Sequence, residues 1–300
     1  AGANWGSGNS NHGLNSEVPT LAEALKEQGY TTAGIVTNPW LKRLYGLGRG
    51  FDYYDDALGL GHNPLALQPM DQLGFGLMQS RYYTPADIQV DKALRFVESQ
   101  GDSGWFLLLH LMDPHGPYLP PEKYIRGNDS DFSDPVQRLY EAEIRYTDAE
   151  LGRFFAALPS GTWIAITSDH GEEFGEHPGA YADQPIPANT RHGHTLYQEV
   201  VHVPLIVRPP NGGLPVRVSS PVGSVDVAET LARIGGTTLG DEIDAVALQE
   251  VLGTPRQGPR EIVSEAIRYG IERKALRLQD KKLIHSENED ELYWLDRDPD

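Results

Sequence analysis

Apolar positions along this chain recur with two different periods, and their alternation predicts a mixed α/β architecture. Between Pro19 and Gln28, Leu21 and Leu25 share a face, a proline stands early and Gly29 follows, which predicts a short helix. Thr31 to Val36 reads as the strand after it. Thr84-Pro85-Ala86-Asp87 opens a second helix that runs to about Gln100 and is expected to bury Ile88, Ala93, Leu94 and Val97. Trp105 to Leu111 is almost continuously apolar, the pattern of a strand buried on both faces. Asp134 to Leu158 carries Leu139, Tyr140, Ile144, Leu151, Phe154 and Phe155 at near-helical spacing. Thr162 to Thr167 and Val203 to Val207 read as two more buried strands, and Ser224 to Ile234 as a capped helix. From about Glu261 the pattern breaks into short strands and hairpins. The fold class expected is therefore α/β, a central, largely parallel sheet flanked by helices, with a small strand-rich C-terminal subdomain. Two long loops, Gly46 to Ser80 and Glu176 to Thr190, are of a length that often serves function.

Composition narrows the function. In 300 residues, 25 basic side chains face 43 acidic ones, for a net charge of −18. That balance argues against nucleic acid or an anionic membrane as partner. It also suits an anionic substrate poorly, unless a cation or a local basic cluster reverses the field. No apolar run approaches the roughly 20 residues that cross a bilayer. The opening Ala1 to Ser10 is polar and does not read as a signal peptide, and position 1 is not Met. With no cysteine, the chain offers no disulfide, thiolate ligand or thiol nucleophile.

The histidines are concentrated. Of 10 in the sequence, most fall in or beside three polar clusters, two of which end apolar strands, where ligands bind in open α/β sheets. The first runs from His110 through Asp113-Pro114-His115-Gly116-Pro117-Tyr118, the second is Ser168-Asp169-His170-Gly171-Glu172-Glu173 to His177, and the third is Arg191-His192-Gly193-His194. Asp169 and His170 offer an oxygen and a nitrogen ligand to one divalent cation, and Gly171 lets the chain turn away. His115 lies between two prolines that stiffen its loop, which suits a side chain that donates a proton to a leaving oxygen or binds an anion. His192 and His194 are both candidates to contact an anion, with His192 favoured, and Asp113 either touches substrate or braces its turn. His110 and His177 are secondary candidates, and Glu172, Glu173 and Glu176 read as a solvated acidic face.

Three ordered motifs carry a family likeness: Asp113-Pro114-His115-Gly116-Pro117-Tyr118, Thr167-Ser168-Asp169-His170-Gly171-Glu172, and His192-Gly193 through Leu196-Tyr197 to Val203-Pro204-Leu205-Ile206-Val207. Together they resemble the sulfatases of the alkaline-phosphatase superfamily. Weaker likenesses flank them at Thr20 to Leu25, Gly50-Phe51-Asp52, Val222 to Ile234 and Glu291 to Pro299. The resemblance implies an alkaline-phosphatase-like fold, a catalytic domain over 1–258 and the start of a small C-terminal subdomain over 259–300. It implies hydrolysis of sulfate esters, on a small molecule or a glycan, at one divalent cation, usually calcium, with manganese or another divalent ion as the alternative. Asp169 and His170 would be two of its ligands, and the ion would resolve the charge conflict. His115 and His192 would be catalytic, contacting the sulfate and assisting the leaving group, with His194 and Asp113 as further substrate-binding candidates. Many sulfatases have Lys in the region of His192, and here none lies between Lys123 and Lys274.

The larger departure is at the front. In the family a metal-binding Asp pair and a formylglycine, made from Cys or Ser in a Cys/Ser-x-Pro-x-Arg motif, precede the helix matched by Pro19 to Gln28. This chain has no such motif. The expectation is a fragment cut at both ends, with the formylglycine in an upstream segment and little or no turnover by itself. The resemblance also implies a periplasmic or secreted setting. The competing readings are a phosphonate or phosphodiester hydrolase or a phosphoglycerol transferase on the same fold, and a degenerate glycan-binding relative without activity.

Overall fold

A computed structural model describes residues 13–58, 83–125, 134–177, 191–213, 215–241, 243–248, 260–266 and 268–298. Two compact units divide the chain, Ala1–Pro159 with Leu231–Ile243, and Ser160–Thr230 with Asp244–Asp300. Most of the two long loops singled out above lies outside the described residues.

In the first unit, helix α1 (Leu21–Glu27) begins at a capping box. Glu23 N–H donates to Thr20 Oγ1 at 3.1 Å and Thr20 N–H to the Glu23 carboxylate at 3.0 Å, so two backbone donors at the helix start are satisfied together. Gly29, at φ +86°, turns the chain out of the helix. Strand β1 (Thr31–Ile35) then lies between β2 (Tyr53–Asp55) and β3 (Trp105–Leu109) in a three-stranded parallel sheet. Gly34 on β1 has to be glycine, because a Cβ there would stand 2.5 Å from the Tyr54 ring.

Helices α2 (Ala86–Gln100), α3 (Glu122–Ile125) and α4 (Pro135–Ala157) follow β2 and β3. Ala33 and Ile35 of the sheet, Val90, Ala93, Phe96 and Val97 of α2, and Phe154 of α4 form the core. One expectation fails here. Ile88 is 46 % exposed. At 100° per residue it points about 200° round from Ala86, while Ala86, Gln89, Val90, Ala93, Phe96 and Val97 make the buried face. Strand β3 is likewise not buried on both sides, since Leu108 is exposed.

The second unit holds β4 (Ile164–Thr167), α5 (Gln198–Val201), β5 (Leu205–Arg208), the start of α6 (Val225–Ile234) and a four-stranded meander. Strands β4 and β5 pair antiparallel, Ala165 opposite Val207, so the expected parallel character belongs to the first sheet alone. A short apolar run marks a strand without encoding its direction. The meander is β6 (Glu261–Ala266), β7 (Arg273–Leu278), β8 (Lys281–Ser286) and β9 (Asp290–Trp294), each antiparallel to the next. Its inner face sets Ala275 and Ile284 against Leu196 and Tyr197. Its outer face carries Val263, Leu276, Leu283 and Leu292 as register neighbours, all exposed.

Ile35 is fully buried in the middle strand of the parallel sheet. Ile35→Ala is expected to lower the unfolding free energy by about 2–5 kcal/mol, read from the shift of a urea midpoint at constant slope.

Candidate functional site

Strand β4 ends at Thr167 and the chain passes directly into Ser168-Asp169-His170-Gly171. The turn depends on Gly171. Its N–H donates to Val200 O at 2.7 Å, and a Cβ in its place would lie 2.0 Å from the Glu199 carbonyl oxygen. Backbone against backbone at that distance leaves room for hydrogen only. Ser168 Oγ donates to His170 O at 2.6 Å and closes the loop on itself.

Two segments well apart in sequence are knitted together here. Glu173 N–H donates to Arg191 O at 2.9 Å, and the Arg191 guanidinium donates back to Glu173 O at 3.2 Å while lying over the Phe174 ring. Side chains repeat the pairing: His192 Nδ1 meets Glu172 Oε1 in a short contact, and His194 Nε2 is 3.0 Å from Glu173 Oε2. Gly193, at φ +78°, makes the bend that lets both imidazoles reach. Glu172 and Glu173 are thus mostly buried partners of histidine, and the expectation of a solvated acidic face is corrected for these two.

The arrangement brings His170 and His192 together, their rings stacked at 3.9 Å between centroids and 28° between planes. One ligand atom each from His170, Glu172 and His192 lie within 4.8 Å of one another. His170 Nδ1 is 2.8 Å from Gly171 O, which places the proton on that nitrogen. Nε2 then presents a lone pair, with Asp169 Oδ2 at 3.8 Å and the Asp169 side chain exposed. A carboxylate oxygen and an oriented imidazole nitrogen side by side fit a divalent cation. His194 is different. It is 4 % exposed, and its carbonyl accepts from the buried Arg273 at 3.0 Å, so it belongs to the interior of the loop.

A second polar group joins His177, a secondary candidate above, to Glu199 and Lys282, which sequence reading missed. His177 Nε2 is 3.1 Å from Glu199 Oε1 and its ring lies against Tyr197 at 3.7 Å. Burial raises the Glu199 carboxyl above its usual range, and the Glu173 and Glu176 carboxylates push the same way, against His177. Lys282 on β8 is buried and donates to Gln198 Oε1 at 2.8 Å. Its burial lowers its pKa to about 8. On β8, Lys282 takes an inward position between the outward Lys281 and Leu283.

In the first unit, β3 leads through His110 to the Asp113–Tyr118 loop. Asp113 is 3 % exposed. Its carboxylate accepts from Ala86 N at 2.8 Å, at the start of α2, and from Tyr83 Oη at 3.2 Å, while Thr147 Oγ1 donates to its carbonyl. The side chain braces the turn. His115 is half-buried with Nδ1 2.8 Å from Gly116 O, the same orientation as His170.

A sequence profile of the Sulfatase family matches residues 2–237. The chain belongs to the sulfatase family. Among curated relatives of this sulfatase, it is 28% identical over 150 residues to the "Uncharacterized sulfatase YidJ" of Escherichia coli, covering 49% of this chain and 26% of that protein. It is 30% identical over 122 residues to arylsulfatase K of Mus musculus, covering 39% of this chain and 20% of that one. These matches span only a fifth to a quarter of the curated relatives' lengths. Among solved structures, BT4656 in complex with its substrate D-glucosamine-2-N,6-O-disulfate aligns at TM-score 0.69 and 19% identity, over 97% of this chain and 78% of that one. The phosphonate monoester hydrolase of Agrobacterium radiobacter aligns at TM-score 0.71 and 19% identity, over 96% and 76%. At such identities these two show the alkaline-phosphatase-superfamily fold.

Two outcomes test this account of the site. Gly171→Ala forces the Glu199 backbone aside, so it is expected to cost about 1–3 kcal/mol in a denaturation series. Lys282 binds fewer protons folded than unfolded between about pH 8 and its ordinary 10.5, so stability rises with pH across that window. Relative to Lys282→Met, the wild type is expected to gain on the order of 2 kcal/mol between pH 8 and 10.5.

Proposed function

We propose that this sulfatase chain serves the hydrolysis of a sulfate ester, with Asp169 and His170 contributing ligands to a calcium ion. The observation that carries the reading is the His170 ring, turned by Gly171 O so that Nε2 stands beside the Asp169 carboxylate. A cation held there would supply Lewis-acid polarisation of the sulfate oxygens and offset the charge of −18 carried by the chain.

The residues then divide the remaining work. With the Nδ1 proton of His115 directed to Gly116 O, Nε2 is the nitrogen that, when protonated, gives its proton to the departing alcohol oxygen. His192, oriented by Glu172, contacts the sulfate oxygens. Asp113 and His194 act on their loops and not on substrate, because both are nearly inaccessible. No residue of this chain is assigned the role of nucleophile, since it contains no Cys/Ser-x-Pro-x-Arg motif. The domain division at 258, a glycan or small-molecule ester as substrate, and a periplasmic or secreted setting remain part of this reading. Among the described residues no helix is long and apolar enough to cross a membrane.

A second reading has a specific support: the fold likeness extends equally to phosphonate monoester hydrolases. The donor set of His170, Glu172 and His192, two imidazoles and one carboxylate, suits manganese or zinc better than calcium.

Calorimetric titration of the 300-residue chain with Ca2+ separates these. Calcium binding that Asp169→Asn weakens at least about tenfold, equivalent to 1.4 kcal/mol, supports the first reading. Binding of Mn2+ or Zn2+ alone, lost in Glu172→Gln, favours the second. The chain by itself is expected to hydrolyse 4-nitrophenyl sulfate little or not at all, and turnover clearly above the uncatalysed rate would overturn that. In a form that does turn over, His115→Ala is expected to lower kcat about 10²–10⁴-fold. Faster turnover of a phosphonate monoester than of a sulfate ester would transfer the assignment to phosphoryl chemistry.

A further inference from the structure

The loop that carries His115 is held by a side chain that no motif contains. Glu143 lies in the middle of α4, 28 residues beyond His115, and is 0 % exposed. Its carboxylate is spread across the loop. Oε2 accepts from the His115 backbone N–H at 3.1 Å, and Oε1 accepts from the Leu119 backbone N–H at 2.6 Å and lies 3.4 Å from Tyr83 Oη. The two oxygens therefore grip the loop at both ends of its turn, four residues apart. Between these anchors His115 O accepts from Tyr118 N at 3.1 Å, and Tyr118 sits at φ +51°. The single Tyr83 hydroxyl proton is directed to Asp113 Oδ1, the nearer acceptor at 3.2 Å, and the phenol oxygen stands between the two buried carboxylates.

We infer that Glu143 is a positioning residue for His115: by fixing His115 N and Leu119 N it sets where Gly116 O stands, and so which nitrogen of His115 carries the proton. The inference rests on the catalytic role given to His115 above and adds to it the group that prepares the imidazole. A lone histidine in water favours the Nε2–H tautomer, whereas the contact of His115 Nδ1 with Gly116 O at 2.8 Å demands Nδ1–H. That contact is between sequence neighbours, so the shape of the loop decides whether it forms. A carboxylate suits the task because both its oxygens are acceptors facing donors. Glutamine would turn an NH2 group toward one of the two backbone N–H groups, and that end of the loop would lose its anchor.

The tautomer of His115 is directly readable by long-range 1H–15N NMR on the full 300-residue chain, assigned through His115→Gln. In the wild type above the imidazole's titration a single Nδ1–H pattern is expected. Glu143→Gln should reduce the Nδ1–H population at least twofold and bring in the averaged shifts of a mobile imidazole. Tyr83→Phe removes one neutral donor and keeps the fold safer, and it should move the shifts the same way by a smaller amount. A merely structural Glu143 would lower the melting temperature and leave the tautomer alone. An unchanged Nδ1–H pattern in whichever of the two variants folds overturns the proposal. The readout uses neither metal nor substrate, so a chain that shows the tautomer change but binds no calcium counts against the calcium site proposed at Asp169 and His170 and leaves the positioning role standing.

Discussion

A carboxylate removed from water must be given donors, and much of the order in this chain's loops follows from that requirement. Glu143, Asp113 and Asp226 are all nearly or fully inaccessible, and each accepts at least one backbone N–H from a segment twenty or more residues away in sequence. Asp226 shows the extreme case. It accepts from Gly223 N and Val246 N and receives both arms of the Arg260 guanidinium in a buried bidentate pair. Once such a side chain is buried, each loop it touches has one place to be, because any other leaves the anion unsatisfied.

The same logic, with imidazole as donor, builds the candidate site. Glu172 and Glu173 take His192 and His194, and the backbone between Glu173 and Arg191 repeats the connection. The strand β4 provides a rigid start, Gly171 provides a turn with no side-chain bulk, and the paired loops present Asp169 and His170 outward. Loops joined this way hold the outward Asp169 and His170 in place through buried side-chain pairs. Several of the acids in these loops are already committed to histidine or backbone donors.

The polar cluster behind the site is held differently. Glu199, His177 and Lys282 lie in a region where burial moves the glutamate up and the lysine down, toward neutrality in both cases. Desolvation of this kind makes the unit sensitive to alkaline pH without involving Asp169 or His170. The outward row Val263, Leu276, Leu283 and Leu292 on the meander is the complementary feature, apolar side chains that the described structure leaves in contact with solvent.

The sequence by itself determined the local events. Capping at Thr20, the glycine stop at Gly29, the long helix from Pro135, and the arrival of polar clusters at the ends of β3 and β4 all depend on neighbours a few residues away. The family membership was legible for the same reason, since its motifs are contiguous. Only the tertiary structure decided the rest. It showed which face of α2 is buried, with Ile88 outside, because a face is chosen by what packs against it. It made β4 and β5 antiparallel, because strand direction is a property of the pair. It joined Glu172 to His192 and Glu143 to His115, because a buried carboxylate finds its donors in space and leaves no mark of them in its own surroundings along the chain.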